Sequence, residues 1–343
     1  MCNGASEGAR TAFQTLIRNP NDGILIPIPQ YPLYSALLTL NNGELLTYYL
    51  NEDDNWALDA EALEQKIIAS KDNGIIIRAI VVINPGNPTG QVMTVNHLQS
   101  IIALCHQHDI LIMADEVYQE NIYIEDRPFV SMRKVLHDMG GEIADEVEMI
   151  SVNSVSKGMM GECGLRGGYY ELHNMGPKAQ AIFYKLKSIE LCANTVGQMA
   201  TELMVNPPRR GRESDACVDL YNDEYNGVAG ALADKAKILT KTFNTMTNVT
   251  CTDIEGAMYG FPRLHFSKKF IEDSLMEGKQ PDFKYCMDMV EETGIMTVPG
   301  SGFGQQPGTY HFRITNLVTP TSKMEEVMET LVKFNEKWQA KNN

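Results

Sequence analysis

The chain has 343 residues, of which 43% are hydrophobic and 21% are charged, and its formal net charge is -15. This composition is typical of a soluble globular protein with one large or two medium domains, and the acidic balance argues against non-specific binding to nucleic acid or to anionic membranes. No run of about 18 apolar residues occurs, so no membrane-spanning helix is expected. The seven cysteines are widely spaced and include no CxxC pair, which indicates free thiols in a reducing compartment and neither a disulfide framework nor a metal site.

The first half of the chain alternates amphipathic segments with short apolar runs such as GILIPIP and IIIRAIVVI. The apolar runs are bounded by turn residues and predict buried strands, and the amphipathic segments predict helices. Such alternation is typical of an α/β protein with a mostly parallel sheet between layers of helices. The predicted helices are 9–18, 33–41, 59–70 and 94–108, and the predicted strands are 23–29, 44–50, 75–83, 110–114, 148–152 and 167–172.

The second half of the chain has a different pattern. Residues 174–205 and 214–246 predict long helical segments, and the basic cluster at 209–212 between them reads as a solvated linker. Hairpin-like pieces are then predicted at 256–263, 295–303 and 309–315, and a last helix at 321–339. We therefore expect a large domain at 1–212 and a smaller α+β domain at 213–343.

Polar and aromatic residues follow several predicted strands, at the edge of the sheet where α/β proteins bind ligands. Asp115 ends the strand ILIMA, where a buried carboxylate is costly unless it meets a cation, although it could also be a turn aspartate. Tyr31 follows the first strand and could stack on a flat ring or be structural. Asn87 lies in the turn NPGNPTG, where a buried amide needs partners.

The segment NGASEG precedes the first predicted helix. A turn of small residues at this place can direct the backbone N–H groups of Gly4, Ala5 and Ser6 toward an anion. The alternative is a simple helix cap with Ser6 as the capping residue.

The segment SVNSVSKGMMGECGLRGGY, residues 151–169, contains one lysine among small residues. Lys157 reads as an amine that forms a Schiff base with an aldehyde cofactor, and Ser154 and Arg166 read as ligands of the cofactor's phosphate. A pyridine-aldehyde phosphate cofactor also needs a carboxylate at its ring nitrogen, donors to its phenolic oxygen and an aromatic ring over its face. Asp115 is the candidate for the carboxylate, Asn87 and Tyr118 are the candidates for the donors to the phenolic oxygen, and Tyr31 is the candidate for the aromatic ring.

The motifs NPGNPTG, ADEVY and SVSKGMMGECGLRGGY, in this order and spacing, resemble those of the fold type I aminotransferases, which use pyridoxal 5′-phosphate. The segments PIPQYPLYSA, EGAMYGFPRL and GSGFGQQPGTYHFR make the chain similar to the alanine aminotransferase branch of that family. The resemblance implies a seven-stranded, mostly parallel sheet between helices and a smaller C-terminal domain. Members of the family carry a long segment before the one that matches NGAS, so the chain is expected to lack an N-terminal segment.

The resemblance also implies roles for particular residues. Lys157 matches the lysine that binds the cofactor and moves the substrate's α-proton, and Arg313 matches the arginine that binds the substrate's carboxylate, with Asn87 beside it. From the residues alone, Arg313 could equally be a surface strand residue. Cys163 is interpreted as a packing residue, and Ser156 is a less certain phosphate ligand. The cofactor-binding set implied is Gly4, Ala5, Ser6, Tyr31, Asn87, Asp115, Tyr118, Ser154, Lys157 and Arg166.

The implied activity is the exchange of an amino group between L-alanine and 2-oxoglutarate by a ping-pong mechanism. An alternative is transfer between glutamate and glyoxylate or another 2-oxo acid, and a non-enzymatic alternative is an inactive chain that serves only in dimerisation or regulation. The expected partners are small amino acids, 2-oxo acids and a second copy of the chain. The expected compartment is the cytoplasm or the mitochondrial matrix, with the cytoplasm preferred.

Overall fold

The computed structural model describes residues 1–342. Helices in this part of the chain begin after capping residues such as Asp59, Thr94, Ser131 and Ser214, whose side chains accept a backbone N–H of the first turn. The α-helices are α1 Ala5–Leu16, α2 Leu33–Asn41, α3 Ala60–Asp72, α4 Val95–His108, α5 Met132–Met139, α6 Gly141–Glu146, α7 Pro177–Glu190, α8 Thr195–Val205, α9 Asp215–Phe243, α10 Lys268–Met276, α11 Pro281–Thr293 and α12 Thr321–Asn342.

The longer strands belong to the first half of the chain, and most of those after residue 243 have only two residues. The strands are β1 Asp22–Ile28, β2 Glu44–Asn51, β3 Ala57–Leu58, β4 Ile76–Ile83, β5 Leu111–Asp115, β6 Met149–Ser154, β7 Gly168–His173, β8 Val249–Thr250, β9 Tyr259–Gly260, β10 Arg263–Leu264, β11 Val298–Pro299 and β12 Phe312–Thr315.

The main sheet has seven strands in the order β3-β2-β1-β4-β5-β6-β7. Neighbours from β2 to β6 pair in parallel, whereas β3 and β7 pair antiparallel with the strands beside them. The strand order reverses between β1 and β4, so the connections that leave their carboxyl ends diverge and open a crevice. The predicted seven-stranded, mostly parallel sheet is confirmed.

Both faces of this sheet are covered by helices, because successive side chains of each strand point to opposite faces. In β4, Ala79 and Val81 join a buried cluster with residues of α1, α2 and α7. Ile80 and Val82 join a second cluster with residues of α3, α4 and α5. The continuous apolar run of β4 in the sequence is therefore explained by burial on both faces.

A third buried cluster joins residues of α9, α10, α11, α12 and the short strand β12. Its members lie between residues 236 and 338, and a three-stranded sheet in the order β11-β12-β9 lies beside them. The cluster agrees with a separate C-terminal packing unit. The proposed boundary between 212 and 213 stays a prediction.

Several predictions for individual elements are wrong. The helical segment 174–205 is two helices, because Leu191 has a positive φ of 63° and Asn194 caps α8 by accepting the N–H of Gly197. The hairpin-like pieces contain only two-residue strands and β12. The helices α5, α6, α10 and α11 were not predicted, although Pro281 at the start of α11 and Gly294 after its end are the expected terminal signals.

The described residues contain no helix with both the length and the apolar composition that crossing a bilayer requires.

The third cluster should dominate the stability of the C-terminal half. Leu239 of α9 is fully buried, whereas Leu220 on the same helix is 59% exposed. We expect Leu239→Ala to lower the free energy of unfolding by about 2–5 kcal/mol, because it leaves a cavity in the core. Leu220→Ala should change it by less than about 0.5 kcal/mol. Urea denaturation of both variants checks this, and similar effects would contradict the assigned core.

Candidate active site

A cavity of about 170 Å³ lies at the carboxyl ends of the parallel strands, beside the point where the strand order reverses. Its lining comes from loops after β1, β4, β5 and β6 and from the start of α1. The lining residues are Ala5, Ser6, Tyr31, Leu33, Tyr34, Ile83, Asn87, Asp115, Val117, Tyr118, Ser154, Ser156, Lys157, Cys163 and Arg166. The fold thus brings together most of the residues that the sequence analysis singled out.

Lys157 is presented to this cavity by a tight turn after β6. The Ser154 hydroxyl accepts the N–H of Ser156 at 2.9 Å, and Gly158 has a positive φ of 67°, which suits glycine. The Lys157 amine donates to the hydroxyl of Tyr259 at 3.4 Å. The amine of Lys157 is therefore held at the cavity wall by a hydroxyl group and not by a carboxylate.

Asp115 ends β5 and is only 6% exposed. Its carboxylate accepts the Tyr34 hydroxyl at 2.5 Å and, more weakly, the N–H of Val117 at 3.4 Å. Burial raises the pKa of Asp115 above its ordinary value, although these bonds and the charge of Lys157 oppose the rise. No basic residue among 1–342 forms an ion pair with Asp115, so the site fits a cationic group from outside the chain.

Asn87 links the cavity to Arg313, which the lining itself does not include. The Arg313 guanidinium donates to the Asn87 side-chain oxygen at 3.1 Å, and the Asn87 amide nitrogen donates to the Tyr118 hydroxyl at 3.4 Å. Burial, and after it the adjacent Tyr259, raises the pKa of Tyr118 well above its ordinary value. Tyr118 is therefore a neutral hydrogen-bond donor.

The Arg313 guanidinium lies between two aromatic rings. Its central carbon is 4.3 Å from the ring centroid of Tyr259 and 4.7 Å from that of Phe303. Within the described chain its Nε atom is buried without a hydrogen-bond partner. A flat guanidinium with a donor to spare is suited to bind a carboxylate in a bidentate way.

Arg166 and the start of α1 also line the cavity. The guanidinium donates to the Asn3 carbonyl at 2.8 Å and to the Ser6 hydroxyl at 3.2 Å, and no carboxylate among residues 1–342 pairs with it. Gly4 caps the helix at a φ of 86°, and a Cβ there would come within 2.5 Å of the Arg166 guanidinium. Hydroxyls, helix N–H groups and an arginine together suit an anion such as phosphate.

Two interpretations of single residues are wrong. Ser6 is not the cap of the first helix, because α1 begins at Ala5 after Gly4 and has no side-chain cap. Cys163 is exposed and lines the cavity, so it is not a packing residue. All seven cysteines are free thiols, and no group of His, Cys, Asp or Glu in residues 1–342 is arranged to hold a metal ion.

Two residues of the site were missed by the sequence analysis. Tyr34 follows Tyr31 by one helical turn and bonds Asp115, and Tyr259 contacts Lys157, Tyr118 and Arg313. Both lie in motifs that were recognised, PIPQYPLYSA and EGAMYGFPRL. Only their partners, which are distant in sequence, reveal what they contact.

Glu116 is a second buried carboxyl beside Asp115. It is 6% exposed and accepts the N–H of Met132, the first residue of α5, at 2.6 Å. Burial raises the pKa of Glu116 from 4.5 to about 7, with the bond from Met132 opposing the rise and Asp115 adding to it. This carboxyl therefore makes the stability of the folded chain depend on pH near neutrality.

Comparisons with known proteins place these observations in context. Residues 1–331 match the family model described as aminotransferase class I and II. The chain is 44% identical over 338 residues to glutamate–glyoxylate aminotransferase 2 of Arabidopsis thaliana, covering 98% of this chain and 69% of that protein. It is 46% identical over 342 residues to a probable mitochondrial alanine aminotransferase of Dictyostelium discoideum, covering 99% and 63%.

Among solved structures, the chain superposes on an alanine aminotransferase from Pyrococcus furiosus with a TM-score of 0.80 and 25% identity. That superposition covers 98% of this chain and 75% of the other. The chain thus spans about two thirds of the length of the two relatives in sequence, at 69% and 63%.

The role of Arg166 can be isolated by comparing pyridoxal 5′-phosphate with pyridoxal, which lacks the phosphate. We expect Arg166→Gln to reduce the preference for the phosphorylated compound by about 10- to 100-fold, because a charge-assisted hydrogen bond is lost. Absorbance titrations of the apoprotein with both compounds measure the preference. Arg212→Gln, at an exposed arginine away from the cavity, is the control, and an unchanged preference in Arg166→Gln would contradict the assignment.

The raised pKa of Glu116 predicts a pH dependence of stability. Below pH 4.5 the carboxyl is protonated in both the folded and the unfolded chain. Between pH 4.5 and about 7 the unfolded chain ionises it while the folded chain keeps it protonated, so the folded state loses stability over this range and loses no more above it. Glu116→Gln removes this penalty. The free energy of unfolding of the variant minus that of the wild type should therefore rise by on the order of 3 kcal/mol between pH 4.5 and pH 8. Urea denaturation across this range tests it, and a constant difference would refute it.

Proposed function

This chain belongs to the class I and II aminotransferases, and we propose that it exchanges the amino group between L-alanine and 2-oxoglutarate, giving pyruvate and L-glutamate. One observation carries the proposal: an amine and a buried carboxylate line one cavity, as Lys157 and Asp115, and the guanidinium of Arg313 is linked to that cavity through Asn87. The first is needed to bind an aldehyde cofactor, the second to hold its ring nitrogen protonated, and the third to hold the substrate.

The residues present fit pyridoxal 5′-phosphate, the cofactor of this family. Asp115 is buried without a cationic partner in residues 1–342, and Arg166 has no carboxylate partner there, so the cavity lining offers both a carboxylate and a guanidinium. Tyr31 also lines the cavity and is 41% exposed, which leaves its ring face free for stacking. We assign the phosphate to Gly4, Ala5, Ser6, Ser154 and Arg166, with Ser156 as a further candidate.

The cofactor supplies an electron sink once it is bound. Arg313, with Asn87, holds the carboxylate of the amino acid and thereby fixes the position of its α-carbon. Lys157, released as a free amine when the substrate amine replaces it, would take the α-proton: the C–H bond breaks, an N–H bond forms on the lysine, and the electron pair would pass to the bound cofactor. Tyr118 and Asn87 would donate to the phenolic oxygen of the bound cofactor, and Asp115 would stabilise positive charge on its ring nitrogen.

A ping-pong sequence follows from the single carboxylate site. The amino acid and the 2-oxo acid both carry a carboxylate next to the reacting carbon, so Arg313 can serve each in turn. Lys157 returns its proton in the reverse direction when the second substrate is bound. The same residues therefore act in both halves of the reaction, without a second binding site for this carboxylate.

Transfer between glutamate and glyoxylate is the second candidate, favoured by the 44% identity to the glutamate–glyoxylate enzyme of Arabidopsis thaliana. An inactive chain that acts only in dimerisation or regulation is a third reading. The presence of Lys157 and Asp115 in one cavity, with Arg313 linked to it through Asn87, argues against this reading, because an unused site has no need of a buried carboxylate.

We also propose that the chain works as a homodimer in the cytoplasm. Large apolar residues of α7 and of the turn after it are exposed, including Tyr184 at 81%, Ile189 at 73% and Leu191 at 78%. Such a patch favours association with another protein surface. The mitochondrial matrix is the alternative compartment, since the Dictyostelium discoideum relative is named as mitochondrial.

The proposal predicts a visible absorbance band when pyridoxal 5′-phosphate is added to the chain. Lys157→Ala should abolish the band, because no other amine lines the cavity among the described residues. Lys178→Ala, at an exposed lysine, should retain it. L-Alanine should bleach the band of the wild-type protein, and 2-oxoglutarate should restore it.

The outcomes separate the candidate functions. A band that glutamate bleaches and glyoxylate restores, with no response to alanine, would favour the second activity. A band that no amino acid changes would refute the enzymatic proposal for this chain, and no band at all would refute the cofactor assignment.

A further inference from the structure

Tyr259 lies in the motif EGAMYGFPRL, to which the sequence assigned no chemical role. We propose that its hydroxyl is the central link of a hydrogen-bond chain with one direction, from Lys157 through Tyr259 to Tyr118. This series of hydrogen bonds leaves the Tyr118 proton free to point into the cavity as a donor to the cofactor's phenolic oxygen. The inference rests on the proposed function and adds a positioning residue to it.

The contacts are made by a side chain that is only 6% exposed. The Lys157 amine donates to the Tyr259 hydroxyl at 3.4 Å, and the Tyr259 and Tyr118 hydroxyl oxygens are 3.0 Å apart. The rings of the two tyrosines meet edge to face, with their centroids 5.8 Å apart and an angle of 81° between their planes. The geometry thus fixes Tyr259 between the amine and the donor.

The direction of the hydrogen bonds from Lys157 through Tyr259 to Tyr118 follows from counting donors and acceptors. A hydroxyl has one proton and two acceptor sites. Arg313 donates to the oxygen of the Asn87 amide, so the Asn87 nitrogen must face Tyr118 and donate to it. Because the free Lys157 amine donates to the Tyr259 oxygen, the Tyr259 proton is available for the second acceptor site of Tyr118. Once Lys157 is bound to the cofactor, the negative phenolic oxygen would keep the same direction, because it would accept the Tyr118 proton and leave Tyr118 to accept from Tyr259.

Both acceptor sites of the Tyr118 oxygen are then filled, by Asn87 and Tyr259. Its own proton has no place in either bond and points elsewhere, and the cavity that Tyr118 lines is the open side. Without the Tyr259 hydroxyl, the Tyr118 proton could instead turn toward the space that this hydroxyl leaves. Tyr259 therefore determines that Tyr118 donates to the cavity.

The ring of Tyr259 has a separate contact with the substrate end of the site. Tyr259 pairs with Thr315 across β9 and β12, and this pairing places its ring 4.3 Å from the guanidinium carbon of Arg313. Tyr259→Phe keeps this ring contact and removes only the hydroxyl. The variant therefore separates the hydrogen-bond chain from the support of Arg313.

The first measurement is the pH midpoint of the visible band in the pyridoxal 5′-phosphate complex without substrate. A donor to the phenolic oxygen stabilises its negative charge and so lowers the midpoint. We expect Tyr259→Phe to raise the midpoint by about 0.5–1 pH unit, the effect of one hydrogen bond. Tyr118→Phe should raise it as well, and the double variant should shift less than the sum of the two, because both act on one bond.

The second measurement is the split between KM and kcat for the amino acid. We expect KM to be unchanged in Tyr259→Phe, because Arg313 keeps its ring contact, and kcat to fall about 10-fold. Tyr285→Phe is the control, since Tyr285 is also buried and loses a hydroxyl bond to Asn335 of 2.9 Å away from the cavity. It should leave the midpoint and kcat unchanged.

The results distinguish this inference from the proposed function. A wild-type midpoint in Tyr259→Phe, or fully additive shifts in the double variant, would overturn the hydrogen-bond chain and leave the proposed function intact. No visible band in the wild-type protein would overturn the proposed function and this inference with it. If Tyr259→Phe does not fold, an unshifted midpoint in Tyr118→Phe would still refute the inference, because Tyr118 would then not donate to the cofactor.

Discussion

The site depends on one buried negative charge, the carboxylate of Asp115 at the end of a central strand. The described chain gives it hydrogen bonds from Tyr34 and Val117 but no cation at contact distance. A carboxylate held in this way is costly to the folded protein until a positive group arrives. The crevice that the strand order opens holds this unpaired charge together with Lys157 and the guanidinium of Arg166, so the proposed site would accept a ligand that carries both a positive and a negative group.

Asn87 joins two regions that the sequence places far apart. Its side-chain oxygen accepts from Arg313, which belongs to the C-terminal unit, and its nitrogen donates to Tyr118, which follows β5. An amide can do both at once because it carries a donor and an acceptor on one rigid plane. A carboxylate at this position could accept from Arg313 but could not donate to Tyr118, so the residue type is constrained by its neighbours on both sides.

Much of the fold and the site could be predicted because their signals are local. Apolar runs bounded by turns identify β1, β4 and β5, and the residues that follow those strands line the cavity. Tyr34 and Tyr259 were missed because their partners are 81 and 102 residues away in sequence. The C-terminal region was described poorly because strands of two residues have no detectable period, and the α7–α8 break depends on the backbone conformation of Leu191.

The position of Arg313 between the rings of Tyr259 and Phe303 has a consequence for substrate choice. A guanidinium held flat between two rings has already lost much of its conformational freedom, so binding a carboxylate costs little further entropy. That advantage is the same for every α-amino acid and every 2-oxo acid, because all of them present the same group. In the proposed role of Arg313, the guanidinium would therefore supply affinity without discrimination, and any preference among substrates would arise where their side chains differ.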